Sequence, residues 1–508
     1  MSNNAKLFLL ALSMGLVAIC GIIYQLVVGT VSTYLAGNST LQYSVTIGLF
    51  MSSYGVGSFL SSFVQKRMLE IFVLSELIIG LFGGTAAFVL FYLYGHSEFF
   101  QAGRVIWILV IGALIGLEVP LLIRLTDAVR ENLRWSVGQM MGFDYIGALI
   151  GGLLFPLMFL PLFGLMGTSF VVGLLNVLAA ALVLWAFRHT MAGQKALWAG
   201  VVCIALLLGA SMSGVDRLEI LAEENFYEDR IVLRQQTPYQ RIVVTKHRDD
   251  TRLYLDGSLQ FSSRDEYRYH EALTHVPARR VKNLERVLVL GGGDGLVLRE
   301  LAKYPSIKKI TLVDLDPGMT HLGKTFPPFV TLNQNAFETL PLEVLHEDAF
   351  SFAANQASKG GKAFDLILVD LPDPHHESLA KLYSTAFYGF LSQLLGEGGV
   401  MGLQLGSPFF ANRSYWANIK TLEQVALQVQ PYHVNVPSFG EWGFGLAFKG
   451  VKPNPRAELP PTQFLTVPIE QGLFVFPPDL MRQHEVETTT LTRPRIVDYF
   501  NEDWRSWN

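Results

Sequence analysis

Seven apolar runs fill most of the first 212 residues, at about 7–28, 41–64, 71–94, 105–123, 137–160, 164–187 and 196–212. A helix needs roughly 20 apolar residues to cross a bilayer core. An all-α transmembrane bundle of about seven helices is therefore the expected fold for this part, with the chain multi-pass in the cell membrane and lipid as its partner. Charge divides the chain at the same place. Residues 1–212 carry 9 Lys or Arg and 7 Asp or Glu, which leaves 39−9=30 basic and 43−7=36 acidic residues for the rest. The formal charge of −4 thus splits into +2 and −6. The second part lacks the basic surplus that phosphate-backbone binding needs, so no nucleic-acid partner is expected. Cys20 and Cys203 lie far apart in apolar runs and suggest neither a disulfide framework nor a CxxC metal site.

The first run follows a single Lys and runs on without a small-residue cleavage site, so it reads as a retained helix rather than a signal peptide. Lys6, Lys66 with Arg67, the Arg124, Arg130 and Arg134 group, and Arg188 with Lys195 mark alternate loops. The loop-charge rule then places the N-terminus in the cytosol. Seven crossings would leave the polar half outside, unless the short seventh run does not cross. Glu76, Glu118 and Asp144 fall within the apolar runs. They read either as a cation site for an amine or as acids near helix ends that pair with residues such as Arg124. Gly147, Gly151 and Gly152 form a small-residue face suited to close packing, and Pro120, Pro156 and Pro161 are expected to kink or end helices.

Beyond residue 212 the periodicity changes. Residues 231–233, 241–245 and 252–255 are short β-type runs separated by turns, which predicts a small antiparallel unit over 213–280. From 281 to 508 a β/α alternation predicts a Rossmann-like, doubly wound α/β domain with strands at 286–290, 309–313 and 365–369. The Gly291-Gly292-Gly293-Asp294-Gly295 turn follows the first strand, where only glycine lets backbone approach a ligand without a Cβ clash. Asp314 closes the second strand 21 residues after Gly293, the place from which an acid bonds both hydroxyls of a ribose. The phosphate-loop Lys-Ser/Thr is missing, and Asp294 inside the turn would repel a pyrophosphate. A nucleoside ligand carrying positive charge is the expectation.

On these residues the chain closely resembles the spermidine synthase (polyamine aminopropyltransferase) family. The motifs run from Thr237-Pro238-Tyr239-Gln240 through Leu255 to Gln260, Asp265 to Glu271, the glycine turn, Asp370-Leu371-Pro372-Asp373-Pro374 and Leu382-Tyr383-Ser384 to Trp442-Gly443-Phe444. The whole chain resembles the subgroup with this enzyme fused behind a multi-pass membrane domain. The resemblance implies a domain of the S-adenosylmethionine-dependent type that transfers an aminopropyl group from decarboxylated S-adenosylmethionine to putrescine or another polyamine, with no permanently bound cofactor. It implies Asp370 as proton acceptor and Asp373 as a holder of the amine. Asp294 would bind the donor's terminal amine and disfavour the carboxylate of intact S-adenosylmethionine. Gln240 and Asp314 would hold the nucleoside, Asp348 and Ala349 the adenine, and Tyr269 and His270 would line the amine and aminopropyl region. A homo-oligomer is implied as well. A donor made in the cytosol argues for a cytosolic catalytic domain, against the helix count and loop charges.

Other readings stand beside these. Asp348 could cap a helix starting at Ala349, and His270 could be a packed histidine. His375 and His376 read as loop residues rather than a metal pair, so no metal is expected. Gln260 and Glu271 read as structural or supporting residues. The family's Asp-Ser-Ser-Asp is Asp370-Leu371-Pro372-Asp373 here, its ribose Glu is Asp314, and a tyrosine that orients the amine has no counterpart near residues 438–442. The alternatives are a methyltransferase using ordinary S-adenosylmethionine and a non-catalytic polyamine sensor or transporter.

Overall fold

The computed structural model describes residues 2–36, 39–97, 99–191, 193–223, 226–227, 229–360, 363–455 and 458–507. The chain divides into two compact units, Met1–Arg230 and Ile231–Asn508.

The first unit is helical: α1 (Asn3–Ala36), α2 (Ser39–Ser61), α3 (Met68–His96), α4 (Phe100–Arg130), α5 (Leu133–Leu154), α6 (Leu160–Ala186), α7 (Gln194–Ser213) and the short α8 (Val215–Glu223). Among the described residues, five stretches are long and apolar enough to cross a membrane by length and composition; one of them, Leu133–Ala186, holds both α5 and α6, and α2, expected as a span at 41–64, is not among them. A π-helical turn, Phe155–Phe159, joins those two helices, and Gly164 breaks the helical path at φ 65°. Pro156 and Pro161 sit in this irregular stretch, whereas Pro120 lies inside the continuous α4. Gly147 and Gly151 face α1, where an added Cβ would stand 2.5 Å from the Gly15 carbonyl and 2.4 Å from Ile22 Cγ2, while Gly152 faces open space.

The second unit begins with a four-stranded sheet in the order β1 (Arg230–Gln236), β2 (Arg241–His247), β3 (Asp250–Leu255), β4 (Ser258–Ser262). A seven-stranded sheet follows, ordered β10 (Gln428–Val436), β11 (Gly440–Phe448), β9 (Leu395–Gly406), β8 (Phe364–Asp370), β5 (Arg286–Gly291), β6 (Lys309–Asp314), β7 (Leu342–His346). β9, β8, β5, β6 and β7 are parallel, and β10 and β11 extend the edge antiparallel. Strand residues alternate between faces. Val287, Val289, Leu366 and Leu368 enter one core, and Leu288, Leu290, Ile367 and Val369 enter the other, which is why these strands read as unbroken apolar runs.

From β5 the chain winds to β6 and β7 on one side and returns to β8 on the other. The reversal opens a crevice at the carboxyl ends of β5 and β8, where doubly wound sheets bind ligands. Gly291 pairs with Asp370, and Asp314 ends β6 on the other side of β5. Around this edge stand α9 (Glu266–Ala278), α10 (Leu296–Leu301), α11 (Pro317–Thr325), α12 (Pro327–Leu332), α13 (Ala336–Thr339) and α14 (Ala349–Ser358).

Candidate active site

The glycine turn explains how the site can be so tight. Gly291, Gly292 and Gly295 have φ of 81°, 73° and 86°, conformations that favour glycine. A Cβ on Gly291 would meet the Asp370 carbonyl at 1.9 Å, and one on Gly293 would meet Asp314 Oδ2 at 2.5 Å. A Cβ on Gly292 would stand 3.4 Å from Asp370 Oδ2. Two strand-end carboxylates therefore press directly onto the turn. Asp294 Oδ1 accepts the Leu296 N–H at 2.8 Å, fixing the start of α10. Asp373 lies three residues past β8, 3.4 Å from where a Gly406 Cβ would be.

These four aspartates remain partly open to solvent, yet the protein around them is dense enough to disfavour charge. Burial pushes Asp294 up to about 6, with His270 opposing and the Asp370 charge adding. Burial likewise lifts Asp314 to about 6 against the Asp316 N–H, and Asp373 to about 7 against the Gln404 amide. Asp370 is raised by burial too, with His270 and the Tyr269 hydroxyl opposing.

The α9 helix supplies the opposite wall. Tyr269 donates its hydroxyl to Asp370 Oδ1 at 2.5 Å. His270 is 3% exposed, and its Nδ1 donates to Glu266 Oε2 at 2.7 Å. Burial pulls the imidazole down, but the Glu266 bond and the charges of Glu266, Asp294 and Asp370 outweigh it and hold it up at about 9. Glu266 is itself clasped by Arg299 Nη1 at 2.7 Å and Nη2 at 3.0 Å. His270 is thus both a packed histidine and a fixed positive charge among acids.

Gln240 stands one step back. Its Nε2 donates to Asp316 Oδ2 at 2.8 Å, as does the Thr237 hydroxyl, and Asp316 donates its N–H to Asp314 Oδ1 at 2.9 Å. Asp348 caps α14 by accepting the Ser351 N–H at 2.9 Å and pairs with Lys381 Nζ at 2.8 Å. Burial works against that carboxylate, yet Lys381 and Ser351 hold it below the usual range. Ala349 is the first, buried residue of that helix.

Several contributors carried no assigned role in the sequence reading. Tyr383 donates to the Pro372 carbonyl at 2.5 Å, and the Gln404 amide donates to the Leu371 carbonyl, so the 371–373 loop is tied down through its backbone. Lost hydroxyls at 371 and 372 are no obstacle to holding Asp373. Phe439 and Trp442 occupy the region without the family's tyrosine, with Phe439 6.3 Å from the Tyr269 ring. His375 is pulled down to about 4 by burial and by His376, and its Nδ1 lies 2.8 Å from the Asp373 carbonyl oxygen.

The C-terminal part braces α9. Asp265 accepts the Ser438 N–H at 2.6 Å; Glu271 accepts the N–H groups of Gln463, Phe464 and Leu465 at 2.6, 3.0 and 2.8 Å. Glu470 pairs with Arg279 and Arg280. Glu271 is therefore a structural acceptor, and Gln260 donates to the Ser258 carbonyl at 3.1 Å.

Fold and site together define a Rossmann-like domain whose switch-point crevice is lined by four carboxylates and suited to a cationic ligand. A family model described as "Spermine/spermidine synthase domain" matches residues 266–457. A polyamine aminopropyltransferase of Ralstonia nicotianae is 43% identical over 98% of this chain and 98% of its own, and one of Leptospira interrogans is 38% identical over 97% and 98%. A solved spermidine synthase in complex with the transition-state analogue AdoDATO is 24% identical, covering 49% of this chain and 86% of that one at a TM-score of 0.44. The chain belongs to the polyamine aminopropyltransferase family, and its activity is aminopropyl transfer.

Proposed function

We propose that the chain transfers the aminopropyl group of decarboxylated S-adenosylmethionine to putrescine, yielding spermidine and methylthioadenosine. The observation that carries this reading is the convergence of Asp294, Asp314 and Asp370 on one glycine turn at the β5/β8 crevice, with Asp373 joining Asp370 in acting on Tyr269. Asp314 takes the ribose hydroxyls, Gln240 steadies Asp314's loop through Asp316, and Asp348 with Ala349 borders the adenine. Asp294 takes the donor's terminal ammonium.

The acceptor amine attacks the carbon beside the sulfonium. The new C–N bond forms as the C–S bond breaks, and the sulfur keeps the electron pair. An ammonium ion has no lone pair, so a proton must leave first or in step; Asp370 accepts it. Tyr269 holds the Asp370 carboxylate in place, Asp373 binds the acceptor's far ammonium, and His270 keeps the neighbouring acids ionised. Most of the rate comes from alignment, because sulfonium is already a good leaving group.

The helical unit is proposed to lie in the membrane. Leu149, Leu157, Leu162 and Leu206 on its surface are 65%, 76%, 68% and 68% exposed, as lipid-facing residues would be. The catalytic unit is assigned to the cytosolic side, where its donor is made.

Purified protein with decarboxylated S-adenosylmethionine and a panel of amines tests the chemistry by product mass. Putrescine gaining one aminopropyl unit, with loss on Asp370→Asn, is expected; a methylated product from ordinary S-adenosylmethionine would overturn the reading. Labelling of Ser358→Cys only after cells are permeabilised is expected, and labelling in intact cells would reverse the orientation.

A further inference from the structure

Glu76 on α3 and Glu118 on α4 are both 0% exposed, deep within their helices. Among the described residues, neither pairs with a basic side chain. Arg124 spends its guanidinium on the Ser61 and Val64 carbonyls at 2.6 and 2.8 Å, and Arg104, fourteen residues before Glu118 and so about 21 Å along α4, pairs with Gln42. The expectation that these acids lie near helix ends or pair with Arg124 fails for both: they sit in the packed interior, and Arg124 caps α2 instead. Asp144 is half-buried on α5.

One hydrogen-bond chain reaches the pair. Tyr24 on α1 donates to Asn176 Oδ1 at 2.8 Å, and Asn176 Nδ2 on α6 donates to Glu76 Oε2 at 2.6 Å. Glu76 Oε1 and both oxygens of Glu118 have no donor among the described residues. Glu118 interacts electrostatically with Glu76 on α3, with Cys20 and Tyr24 on α1, and with Tyr54 on α2. None carries positive charge.

Buried carboxyl oxygens without donors are costly, and such groups mark functional sites in helical bundles. A proton shared between the acids would engage two of the three open oxygens. A primary ammonium brings three N–H donors and one positive charge, matching three open acceptors. Among the described residues no group of three His, Cys, Asp or Glu suited to a metal ion occurs.

We infer that Glu76 and Glu118, with Asn176 and Tyr24 behind them, form a second amine site within the helical unit, for the ammonium end of an aliphatic amine. The choice of putrescine as probe rests on the acceptor proposed for the catalytic unit; the site itself does not. Full-length protein in lipid nanodiscs is dialysed to equilibrium against radiolabelled putrescine. Two equivalents per chain are expected. Glu118→Gln and Glu76→Gln each remove one equivalent and leave the aminopropyl transfer rate unchanged, whereas Asp373→Asn removes the other. A single equivalent in the unsubstituted protein overturns the site, without recourse to any variant. So does a second equivalent that survives both substitutions, or a Glu118→Gln protein altered only in its pH dependence, which would make the pair a proton site. Should putrescine fail as an acceptor, an equivalent lost in Glu118→Gln still upholds the helical site while the catalytic reading falls.

Discussion

Gly293→Ala isolates the role of Asp314. Gly293 has no positive φ, so alanine fits its backbone, and the whole effect is steric. The new Cβ would stand 2.5 Å from Asp314 Oδ2, where ordinary contact begins at 3.4 Å, so the carboxylate must retreat by 3.4−2.5=0.9 Å. Oδ1 cannot simply swing round, because it holds the Asp316 N–H at 2.9 Å. Lengthening a ribose hydrogen bond by that much takes it beyond useful range. A bond to a charged acceptor is worth about 1.5–3 kcal/mol, or roughly ten- to 150-fold in affinity. Steady-state kinetics with each substrate varied should show the donor KM rising by that factor, the acceptor KM unchanged and the thermal midpoint nearly so. An unchanged donor KM, or equal rises for both substrates, would refute the placement of the ribose at Asp314.

Acid pH should weaken donor use: Asp294 and Asp314 are both near 6 in the free site, and the ionised forms are what pair with the donor's ammonium and accept from its ribose hydroxyls, so kcat/KM for the donor falls as pH drops through about 6. A profile flat through that value would contradict it. Glu271→Gln turns one of the two acceptor oxygens into a donating NH2 facing the N–H of Gln463 or those of Phe464 and Leu465, and should lower the stability of the catalytic unit by about 1–3 kcal/mol, read by denaturant unfolding, while folded enzyme keeps its turnover. Gly151→Ala drives a Cβ to 2.8 Å from the Ile19 carbonyl and should destabilise the helical unit by about 1–3 kcal/mol; Gly152→Ala, facing open space, should leave its melting unchanged.

What was legible in the sequence was what neighbours in the chain decide. Apolar runs at 286–290, 309–313 and 365–369 became β5, β6 and β8 because these strands are buried on both faces. Asp-Ala-Phe-Ser at 348–351 displayed its capping geometry, and the structure adds Lys381 from across the crevice. Contacts made by folding were invisible. Glu266 stood in a quoted motif, but its partner Arg299 lies 33 residues on. Nothing local marks Asp316, two residues beyond Asp314, as the residue that Gln240 touches. β4 was read as a motif rather than a strand, and β10 and β11 lacked any strong alternation. The acids of the helical unit were visible, but the meeting of Glu76 with Asn176, 100 residues away, was not.

The bracing of α9 sets an order of events during synthesis. Tyr269 and His270 are made early in the catalytic unit, yet the helix carrying them is pinned by Ser438, by the backbone of 463–465 and by Glu470. These last anchors lie past the segment the family model covers. A nascent chain halted at residue 457 would hold every carboxylate of the crevice while α9 lacked its far supports. The supports of Tyr269 and His270 are therefore complete only once the tail has been made.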